Sequence, residues 1–196
     1  LVKFLSEMSK KFDFKFVQIS TDHVYKGKKL KLNHEQSEIF AINKYAKTKI
    51  LAEKYLKRLN NFLIIRTNFT GKKKNTFIDW LVKSIKSKKI INLFHDMYTS
   101  TMDVNSCAEI IIDLASLKSK GIYNLGSRNM ISKKNFAISV SKKLKKKIKY
   151  RNISCDMQQI LRGKNLGLNV NKIEKKIGYK MPTSNQSIVN LVKEYQ

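Results

Sequence analysis

A tyrosine and a lysine, Tyr45 and Lys49, lie four positions apart in a segment with helical periodicity. If residues 43–59 form a helix, both side chains lie on one face, about one turn or ~6 Å apart along the axis. An ammonium group in that position helps a phenol to give or take a proton. The hydroxyl of Thr21, at the end of an apolar run, could reach the same place from a neighbouring strand. These residues predict proton transfer at a carbonyl or alcohol oxygen, the chemistry that accompanies hydride transfer.

The same spacing occurs a second time, at Tyr25 and Lys29, so the pair alone is a weak signal. Gly27 interrupts this second copy and predicts a loop, which cannot hold both side chains on one face. The surrounding elements must therefore decide which pair is functional.

The elements around Tyr45 and Lys49 predict a βαβ unit. A buried strand at 14–20 precedes a long polar loop at 21–42, and the helix at 43–59 leads to a second apolar strand at 62–66. Such a unit implies parallel strands with a right-handed crossover. Because ligands bind at the carboxyl ends of parallel strands, we expect Thr21 and Thr67 to lie at the site. A loop of this length is typically either functional or disordered.

The rest of the chain continues as alternating helices and strands. Further helices are predicted at 1–11, 76–87, 105–117, 132–145, 170–177 and 185–195, and further strands at 90–94, 122–125 and 146–153. The pattern predicts an α/β fold whose last fifty residues form a small α+β cap.

Composition limits the possible partners. The net charge of +27 suggests an anionic partner. Lysine is spread along the whole chain and arginine is scarce, whereas nucleic-acid readout favours arginine and aromatic residues on one face. We therefore expect no specific nucleic-acid binding, although the positive field can draw in an anionic nucleotide substrate. No apolar run reaches the ~18 residues of a membrane span. Cys107 and Cys155 lie far apart in apolar surroundings, which predicts reduced, packed thiols and a cytoplasmic location.

Five motifs in a fixed order resemble the extended short-chain dehydrogenase/reductases, and within them the dTDP-4-dehydrorhamnose reductases. They are Ser-Thr-Asp-His-Val-Tyr-Lys-Gly at 20–27, Asn-Lys-Tyr-Ala-Lys-Thr-Lys at 43–49, Ile-Arg-Thr-Asn-Phe at 65–69, Tyr-Thr-Ser-Thr at 98–101 and Arg-Gly-Lys-Asn at 162–165. The resemblance runs from about residue 1 to residue 195. It implies the C-terminal part of a Rossmann-like parallel sheet with a small α+β substrate-binding cap.

The resemblance also implies a division of the chain and a missing part. Residues 1–130 would form a partial NAD(P)-binding domain with the catalytic residues, and residues 131–196 most of the cap, interleaved with segment 70–102. The family's N-terminal βαβ units and their glycine-rich phosphate loop have no counterpart, so we expect an N-terminally truncated chain that is inactive alone. His23 replaces a family tyrosine and several family prolines are absent, which leaves the sugar specificity open.

The resemblance assigns roles to the motif residues. Tyr45 would protonate the carbonyl oxygen of a sugar, Lys49 would assist it and bind the cofactor ribose, and Thr21 would hold the carbonyl oxygen. Cofactor contacts are expected from Ser20, Tyr45, Lys49, Thr67 and Asn68, and substrate contacts from Thr21, Asp22, His23, Phe69, Thr101 and Arg162. More ordinary interpretations exist for several of these residues. Asp22 could be a turn residue, Phe69 a core residue and Arg162 a solvated side chain.

The predicted function is NAD(P)H-dependent reduction of a nucleotide-linked 4-keto-6-deoxysugar, in nucleotide-sugar biosynthesis for cell-surface polysaccharide. NADPH or NADH would be the cofactor, the nucleotide sugar the partner, and a homodimer one assembly. Some relatives bind Mg²⁺, but the scattered histidines show no metal-ligand spacing, so no metal is predicted. Alternatives are an epimerase or dehydratase of the same superfamily, a non-catalytic regulatory relative, and nucleic-acid binding through bulk charge.

Overall fold

Helices and strands alternate along the chain in the computed structural model, which describes residues 1–27, 30–157 and 161–195. Lys29, the second member of the Tyr25–Lys29 pair, lies outside the described residues. The helices are α1 Val2–Phe12, α2 Lys44–Leu56, α3 Phe77–Lys86, α4 Val104–Ser116, α5 Lys133–Lys143, α6 Asn171–Ile177 and α7 Ser184–Lys193. The strands are β1 Phe16–Thr21, β2 Phe62–Thr67, β3 Phe69–Thr70, β4 Ile90–Phe94, β5 Tyr98–Thr99, β6 Met102–Asp103, β7 Gly121–Leu125, β8 Ile131–Ser132, β9 Lys149–Ile153 and β10 Asn165–Leu166.

Side-chain caps fix where most of the helices begin. The side chains of Asn43, Thr76, Asp103, Ser132 and Thr183 each accept a hydrogen bond from a backbone N–H in the first turn. These bonds satisfy donors that a helix otherwise leaves without a partner. The predicted helices and strands are confirmed, with ends shifted by no more than three residues.

The sheet that carries the site consists of β1, β2 and β7, in the spatial order β1-β2-β7. Both pairings are parallel, with Thr21 opposite Thr67 and Thr67 opposite Leu125. β2 lies at the centre, where Leu63, Ile64 and Ile65 are fully buried, as expected for a strand covered on both faces. The predicted parallel sheet is confirmed, and its carboxyl edge is formed at Thr21, Thr67 and Leu125.

The long loop after β1 is ordered by contacts with a distant segment. It opens with a 3₁₀ turn at Asp22–Val24. The backbone N–H of Asn33 donates to the carbonyl oxygen of Gly167 at 2.8 Å, and the N–H of Asn169 donates to the carbonyl oxygen of Asn33 at 2.7 Å. Gly27 has a φ of +62°, and a Cβ there would clash with the carbonyl oxygen of Asn165, so glycine is required. The described part of this loop therefore packs against the C-terminal third of the chain.

Two hydrophobic clusters form the core. The first joins the three-stranded sheet to α4 and α6 and includes Leu63, Leu114, Leu125 and Ile173. The second joins α3, α5, α7 and β4 and includes Leu81, Leu93, Val140 and Ile188. Although α6 lies beyond residue 130, it packs in the first cluster. The division into domains at residue 130 stays a prediction.

The first helix, α1, buries serine side chains and leaves several large apolar side chains exposed. Its buried residues are Ser6 and Ser9, whereas Leu1, Phe4 and Phe12 are exposed. Cys107 and Cys155 are buried free thiols, as predicted. Within the three described ranges, no helix has the length and apolar character to cross a bilayer.

Candidate active site

The tyrosine and lysine of the first motif lie together at the start of α2. The Asn43 side chain accepts a hydrogen bond from the backbone N–H of Ala46 and fixes the first turn of this helix. Lys49 Nζ lies 5.9 Å from the centroid of the Tyr45 ring. The ammonium group also donates to the carbonyl oxygen of Ile19 in β1 at 3.1 Å, which ties the helix to the sheet. Tyr45 is 51% exposed, so its phenol faces open space.

The Thr21 hydroxyl lies at the end of β1 and is held by the turn that follows. It accepts a hydrogen bond from the backbone N–H of His23 at 3.2 Å and donates to Asp22 Oδ1 at 3.2 Å. The second carboxylate oxygen of Asp22 accepts from Asn68 Nδ2 at 2.8 Å. The hydrogen bond from Thr21 to Asp22 is long for an O–H···O bond. The Thr21 hydroxyl can therefore turn away from Asp22 and donate to a better acceptor.

His23 connects the turn to Tyr45. The two rings meet edge to face with centroids 6.0 Å apart. The Nδ1 atom of His23 is buried and has no hydrogen-bond partner among the described residues. Burial lowers the pKa of this imidazole, the Asp22 carboxylate opposes that effect, and Arg162 and Lys133 add to it. Burial therefore favours the neutral form of the His23 imidazole beside the phenol.

Asn68 extends the site away from Tyr45. Besides binding Asp22, it accepts a hydrogen bond at Oδ1 from the Thr101 hydroxyl at 2.8 Å. The Thr101 hydroxyl in turn lies 2.9 Å from the Thr99 hydroxyl. Thr101 is 3% exposed, so its polar atom is fully used inside the protein. This chain of bonds links the ends of β1 and β2 to the segment at 98–101.

A buried carboxyl and a partly buried ammonium share the site. Burial raises the pKa of Asp22, while His23, the Asn68 hydrogen bond and Lys133 lower it. Burial lowers the pKa of Lys133, which Asp22 opposes and Arg162 reinforces. Lys133 is the first residue of α5, and its Nζ lies 5.2 Å from the centroid of the Phe77 ring.

Two cavities adjoin this cluster. One, of about 670 Å³, is lined by His23, Ile42, Asn43, Lys44, Tyr45, Leu161 and Arg162. The other, of about 780 Å³, is lined by residues that include Asn68, Phe69, Phe77, Thr101 and Lys133. Both have the size of small-molecule sites. Asn68 lines the larger cavity and binds Asp22, and the next residue, His23, lines the smaller one, so the turn after β1 contacts the walls of both.

Ser20 and Thr67, which are predicted to contact the cofactor, have side chains that point into the protein. Ser20 donates to Glu53 Oε1 at 2.7 Å, and the Thr67 hydroxyl lies 3.7 Å from Cys107 Sγ. Both residues are buried. Their contacts with a cofactor stay predictions and would involve the backbone.

Of the remaining predicted residues, some line the two cavities and others lie beside them at the sheet edge. Thr21, Asp22, His23, Tyr45 and Lys49 come together at the carboxyl edge of the sheet. Phe69 is 47% exposed in the larger cavity, and Arg162 is exposed in the smaller one.

A buried ion pair lies behind the site, and the sequence analysis did not predict it. Arg66 binds Glu53 through two bonds, Nε to Oε1 at 2.9 Å and Nη2 to Oε2 at 2.6 Å. Arg66 Nη1 also donates to the Tyr25 hydroxyl at 3.1 Å, and that hydroxyl donates to Asn124 Oδ1 at 2.6 Å. Asn124 Nδ2 completes the network by donating to the carbonyl oxygen of Asn33 at 2.9 Å. We call these residues, with Ser20, the buried network.

Some of these residues could have been found from the sequence. Asn124 interrupts the apolar strand Gly-Ile-Tyr-Asn-Leu, and a polar residue inside a buried strand signals a satisfied hydrogen-bond network. Lys133 gives a weaker signal. It follows the capping residue Ser132, where a positive charge is unfavourable for the helix dipole.

The described residues contain no group of three or more histidine, cysteine, aspartate or glutamate side chains that could hold a metal ion.

Comparison with known proteins gives a consistent result. Residues 1–196 match the family described as the RmlD substrate binding domain. The chain is 25% identical over 147 residues to a dTDP-4-dehydrorhamnose reductase of Aggregatibacter actinomycetemcomitans, covering 71% of this chain and 50% of that protein. It is 28% identical over 127 residues to the spore coat polysaccharide biosynthesis protein SpsK of Bacillus subtilis, covering 64% of this chain and 44% of that protein. The chain thus spans about half the length of the curated relatives it matches.

A solved structure shares the fold. The dTDP-4-dehydrorhamnose reductase of Bacillus anthracis, in complex with NADP, superposes with a TM-score of 0.91 and 23% identity, covering 98% of this chain and 70% of that one. The α/β architecture predicted from the sequence is confirmed by this likeness.

Proposed function

Because this chain belongs to the RmlD substrate binding domain family, we propose that it acts in the NAD(P)H-dependent reduction of a nucleotide-linked 4-keto-6-deoxysugar. The family match confirms the predicted resemblance to the dTDP-4-dehydrorhamnose reductases. A role in nucleotide-sugar biosynthesis for cell-surface polysaccharide follows from the proposal. The curated relative from Bacillus subtilis is named for the biosynthesis of such a polysaccharide.

One observation carries the proposal. The exposed Tyr45 and the half-buried Lys49 lie side by side on α2 at the carboxyl edge of a parallel sheet, next to the turn that holds Thr21. Ligands bind at this edge in parallel sheets. A phenol, an ammonium group and a hydroxyl that meet there can handle one oxygen atom and its proton.

Tyr45 is the proton donor in this proposal. Its hydroxyl has no hydrogen-bond partner among the residues described, so it is free to bind the carbonyl oxygen of a sugar. As the carbonyl carbon is reduced, the oxygen gains charge and takes the phenolic proton. The neighbouring Lys49 ammonium stabilises the phenolate that remains.

Thr21 holds the same oxygen from the opposite side. Its hydroxyl proton now points to Asp22 across a long bond and can turn to a substrate oxygen. A donor aimed at developing negative charge lowers the barrier of such a step, typically by ~3–4 kcal/mol. Asp22 remains bound to Asn68 and keeps the turn in place.

The described residues suit a nicotinamide cofactor at Tyr45 and Lys49. An ammonium group has three donors, and Lys49 uses one of them, on Ile19, within the described part of the chain. The other two are available for ribose hydroxyls. When bound, the nicotinamide supplies the hydride. NADPH and NADH are both candidates in the proposal, and the described residues offer no group of three or more side chains to support Mg²⁺.

The wider assignment follows from the same features. Buried free thiols at Cys107 and Cys155 support a cytoplasmic location. A homodimer is the assembly to be tested by sedimentation. A dehydratase needs an acid and a base beside Thr21. Among the described residues, the carboxyl next to Thr21 is that of Asp22, which is buried and bound to Asn68, and this favours reduction.

The test is reduction of dTDP-4-dehydrorhamnose by a full-length protein that contains this chain, followed by loss of NADPH absorbance and by analysis of the sugar product. Tyr45→Phe should lower turnover by ~10²–10⁴-fold, the usual contribution of a positioned acid. Tyr55→Phe, on the same helix, is the control and should keep full turnover. Equal turnover of Tyr45→Phe and the unmodified protein would refute the proposed role. Binding of NADPH with no reduction of any keto-sugar would favour a regulatory relative.

A further inference from the structure

Ten lysines lie together at one end of the layer formed by α3, α5, β4 and β9. The parallel pairing sets Ile90 beside Lys149, so the turn that precedes β4 lies next to the turn that precedes β9. Helices α3 and α5 end at these same two turns. We call this group the lysine end, and its members are Lys83, Lys86, Lys88, Lys89, Lys142, Lys143, Lys145, Lys146, Lys147 and Lys149.

The lysine end is exposed and has almost no counter-charge. All ten side chains are exposed. Lys83 pairs with Asp79 at 2.9 Å, and none of the other nine ammonium groups has a hydrogen bond or an ion pair within the described part of the chain. The sequence contains no aspartate or glutamate at 80–95 or at 114–155. The positive charge of this end is therefore left for a partner outside the chain.

The charge is also concentrated beyond the average of this lysine-rich protein. Lysine fills ten of the 15 positions in the two runs 83–89 and 142–149, compared with 36 of 196 positions in the whole chain. The runs are far apart in the sequence, and the pairing of β4 with β9 brings them together. The fold therefore assembles one strongly positive surface from two separate segments.

The backbone of both turns carries lysine where glycine would be less strained. Lys88 has a φ of +56° and Lys145 a φ of +53°. This left-handed region is unfavourable for residues with a Cβ, and glycine adopts it without that cost. Both turns thus keep a positive charge at a position where the backbone alone favours glycine.

The side chains of the lysine end suit the headgroups of an anionic lipid bilayer. Nucleic-acid binding favours the planar fork of arginine and aromatic rings for stacking, whereas all ten cations here are lysines. Ile90, 60% exposed, follows Lys89 and is paired with Lys149. An apolar side chain among ammonium groups can enter the headgroup region while the cations bind the anionic lipids around it.

The lysine end lies away from the larger cavity. Phe77 and Lys133, the first residues of α3 and α5, line that cavity. The lysines lie at and beyond the opposite ends of these two helices, each of which is roughly 15 Å long. A surface that binds the lysine end therefore leaves the cavity open.

We propose that the lysine end binds the surface of an anionic lipid bilayer and holds the protein there with the larger cavity directed away from the lipid. The attachment is electrostatic, so it weakens as salt is added. The inference goes beyond the proposed function and does not depend on it.

Cosedimentation with lipid vesicles tests the inference. A full-length protein that contains this chain should bind vesicles of equal parts phosphatidylglycerol and phosphatidylcholine, and should not bind vesicles of phosphatidylcholine alone. Removing four charges of the lysine end should weaken binding by roughly 100- to 1,000-fold. The variant combines Lys86→Gln, Lys89→Gln, Lys143→Gln and Lys147→Gln.

A matched control removes four exposed lysines from α1 and α2 and the turn that follows α2. It combines Lys10→Gln, Lys11→Gln, Lys54→Gln and Lys57→Gln. This control has the same net charge as the first variant, and its binding should weaken by less than about tenfold because the lysine end is intact.

A second variant separates lost binding from lost folding. Lys88→Gly with Lys145→Gly removes two charges and relieves the left-handed strain in both turns. It should melt no lower than the unmodified protein and still bind the anionic vesicles about 10- to 30-fold more weakly. Reduction of the keto-sugar should be unchanged in this variant, because the cavity lies at the other end of α3 and α5.

Three results would overturn the inference. They are no binding of the unmodified protein to the anionic vesicles, equal weakening in the matched control, and tighter binding to duplex DNA than to the vesicles at the same salt concentration. The last result would assign the lysine end to nucleic acid. None of them touches the proposed reductase function, since reduction is measured on the keto-sugar without lipid. Vesicle binding without any reduction would refute that function alone.

Discussion

Helix α2 carries two polar regions of opposite character. On its inner side, Glu53 belongs to the buried network, in which each charged group has a close partner. On its outer end, Tyr45 belongs to a cluster in which His23 Nδ1, Lys133 and Arg162 have no hydrogen-bond or ion-pair partner within the described ranges. One helix thus connects a region whose polar groups all have partners to a second region, which we call the outer cluster, where several have none.

The two regions therefore have different tasks: the buried network stabilises the fold, and the cluster around Tyr45 is available for chemistry. Buried charges that are fully paired hold one arrangement, and removing one partner leaves the other uncompensated. Polar groups without partners do not stabilise the fold, and cost free energy where they are buried, but they are available to a ligand. The buried network should therefore determine where Tyr45 lies, and the outer cluster should determine what binds there.

The largest effect is expected from breaking the ion pair of the buried network. Glu53→Ala should lower the free energy of unfolding by about 3–5 kcal/mol, because it leaves Arg66 buried without a counter-charge. Urea unfolding followed by circular dichroism measures the change. Lys83→Ala, which removes the exposed Lys83–Asp79 pair, should cost less than about 1 kcal/mol. Equal losses in the two variants would mean that burial of the pair contributes nothing. If Glu53→Ala does not fold, Glu53→Gln keeps the shape and tests the charge.

A smaller loss is expected from the neutral part of the buried network. Tyr25→Phe removes the hydroxyl that binds Arg66 and Asn124, and should lower the free energy of unfolding by about 1–3 kcal/mol. Burial raises the pKa of this tyrosine to about 12, against the effect of Arg66, so the loss should not depend on pH near neutrality. Tyr150→Phe, at a strand surface, should change stability by less than about 0.5 kcal/mol. Similar changes at both positions would argue against a saturated network.

The half-buried carboxylate of Asp96 lies outside the buried network and also has close hydrogen-bond partners, but we expect it to contribute less to stability. Although burial acts in the other direction, hydrogen bonds from the Ser154 hydroxyl and the backbone N–H of Cys155 lower the pKa of Asp96 to about 2. The folded-state pKa lies below the ordinary value of 3.8, so this stabilisation is present above pH 4 and is lost as the pH falls toward 2.

Comparison of the unmodified protein with Asp96→Asn isolates this effect. The difference in free energy of unfolding should shrink by about 1–2 kcal/mol between pH 5 and pH 2. Urea titrations at several pH values measure it. A difference that stays constant over this range would show that Asp96 is not paired as described.

The smallest effect on stability is expected in the outer cluster. Tyr45→Phe removes a hydroxyl without a partner from a half-exposed ring, and should change the free energy of unfolding by less than about 0.5 kcal/mol. The same substitution should nearly abolish reduction. A large loss of stability in Tyr45→Phe would erase the contrast between the two regions of α2.

The sequence predicted the frame of this molecule because local patterns determine it. The apolar run at 62–65 indicated a strand buried on both faces, and Asn43 followed by helical spacing predicted the ends of α2 to within three residues. The order of the motifs predicted that Thr21, Tyr45 and Lys49 lie at one edge of the sheet.

Pairing between distant charges could not be obtained in this way. Glu53 and Arg66 are ordinary charges in the sequence, and only the packing of α2 on β2 shows that they bind each other out of water. Lys133 was missed for a different reason. In a chain with a net charge of +27, one more lysine carries no signal until its cavity is known.

The contacts of the long loop also order events during synthesis of the protein. Asn33 is held by Asn124 and by the segment that contains Gly167 and Asn169. A ribosome that adds 5–20 residues per second reaches that segment on the order of ten seconds after Asn33 has been made. Until then the loop after β1 lacks the contacts that fix it to the C-terminal third of the chain. The packing of this loop is therefore completed late in the synthesis of the chain.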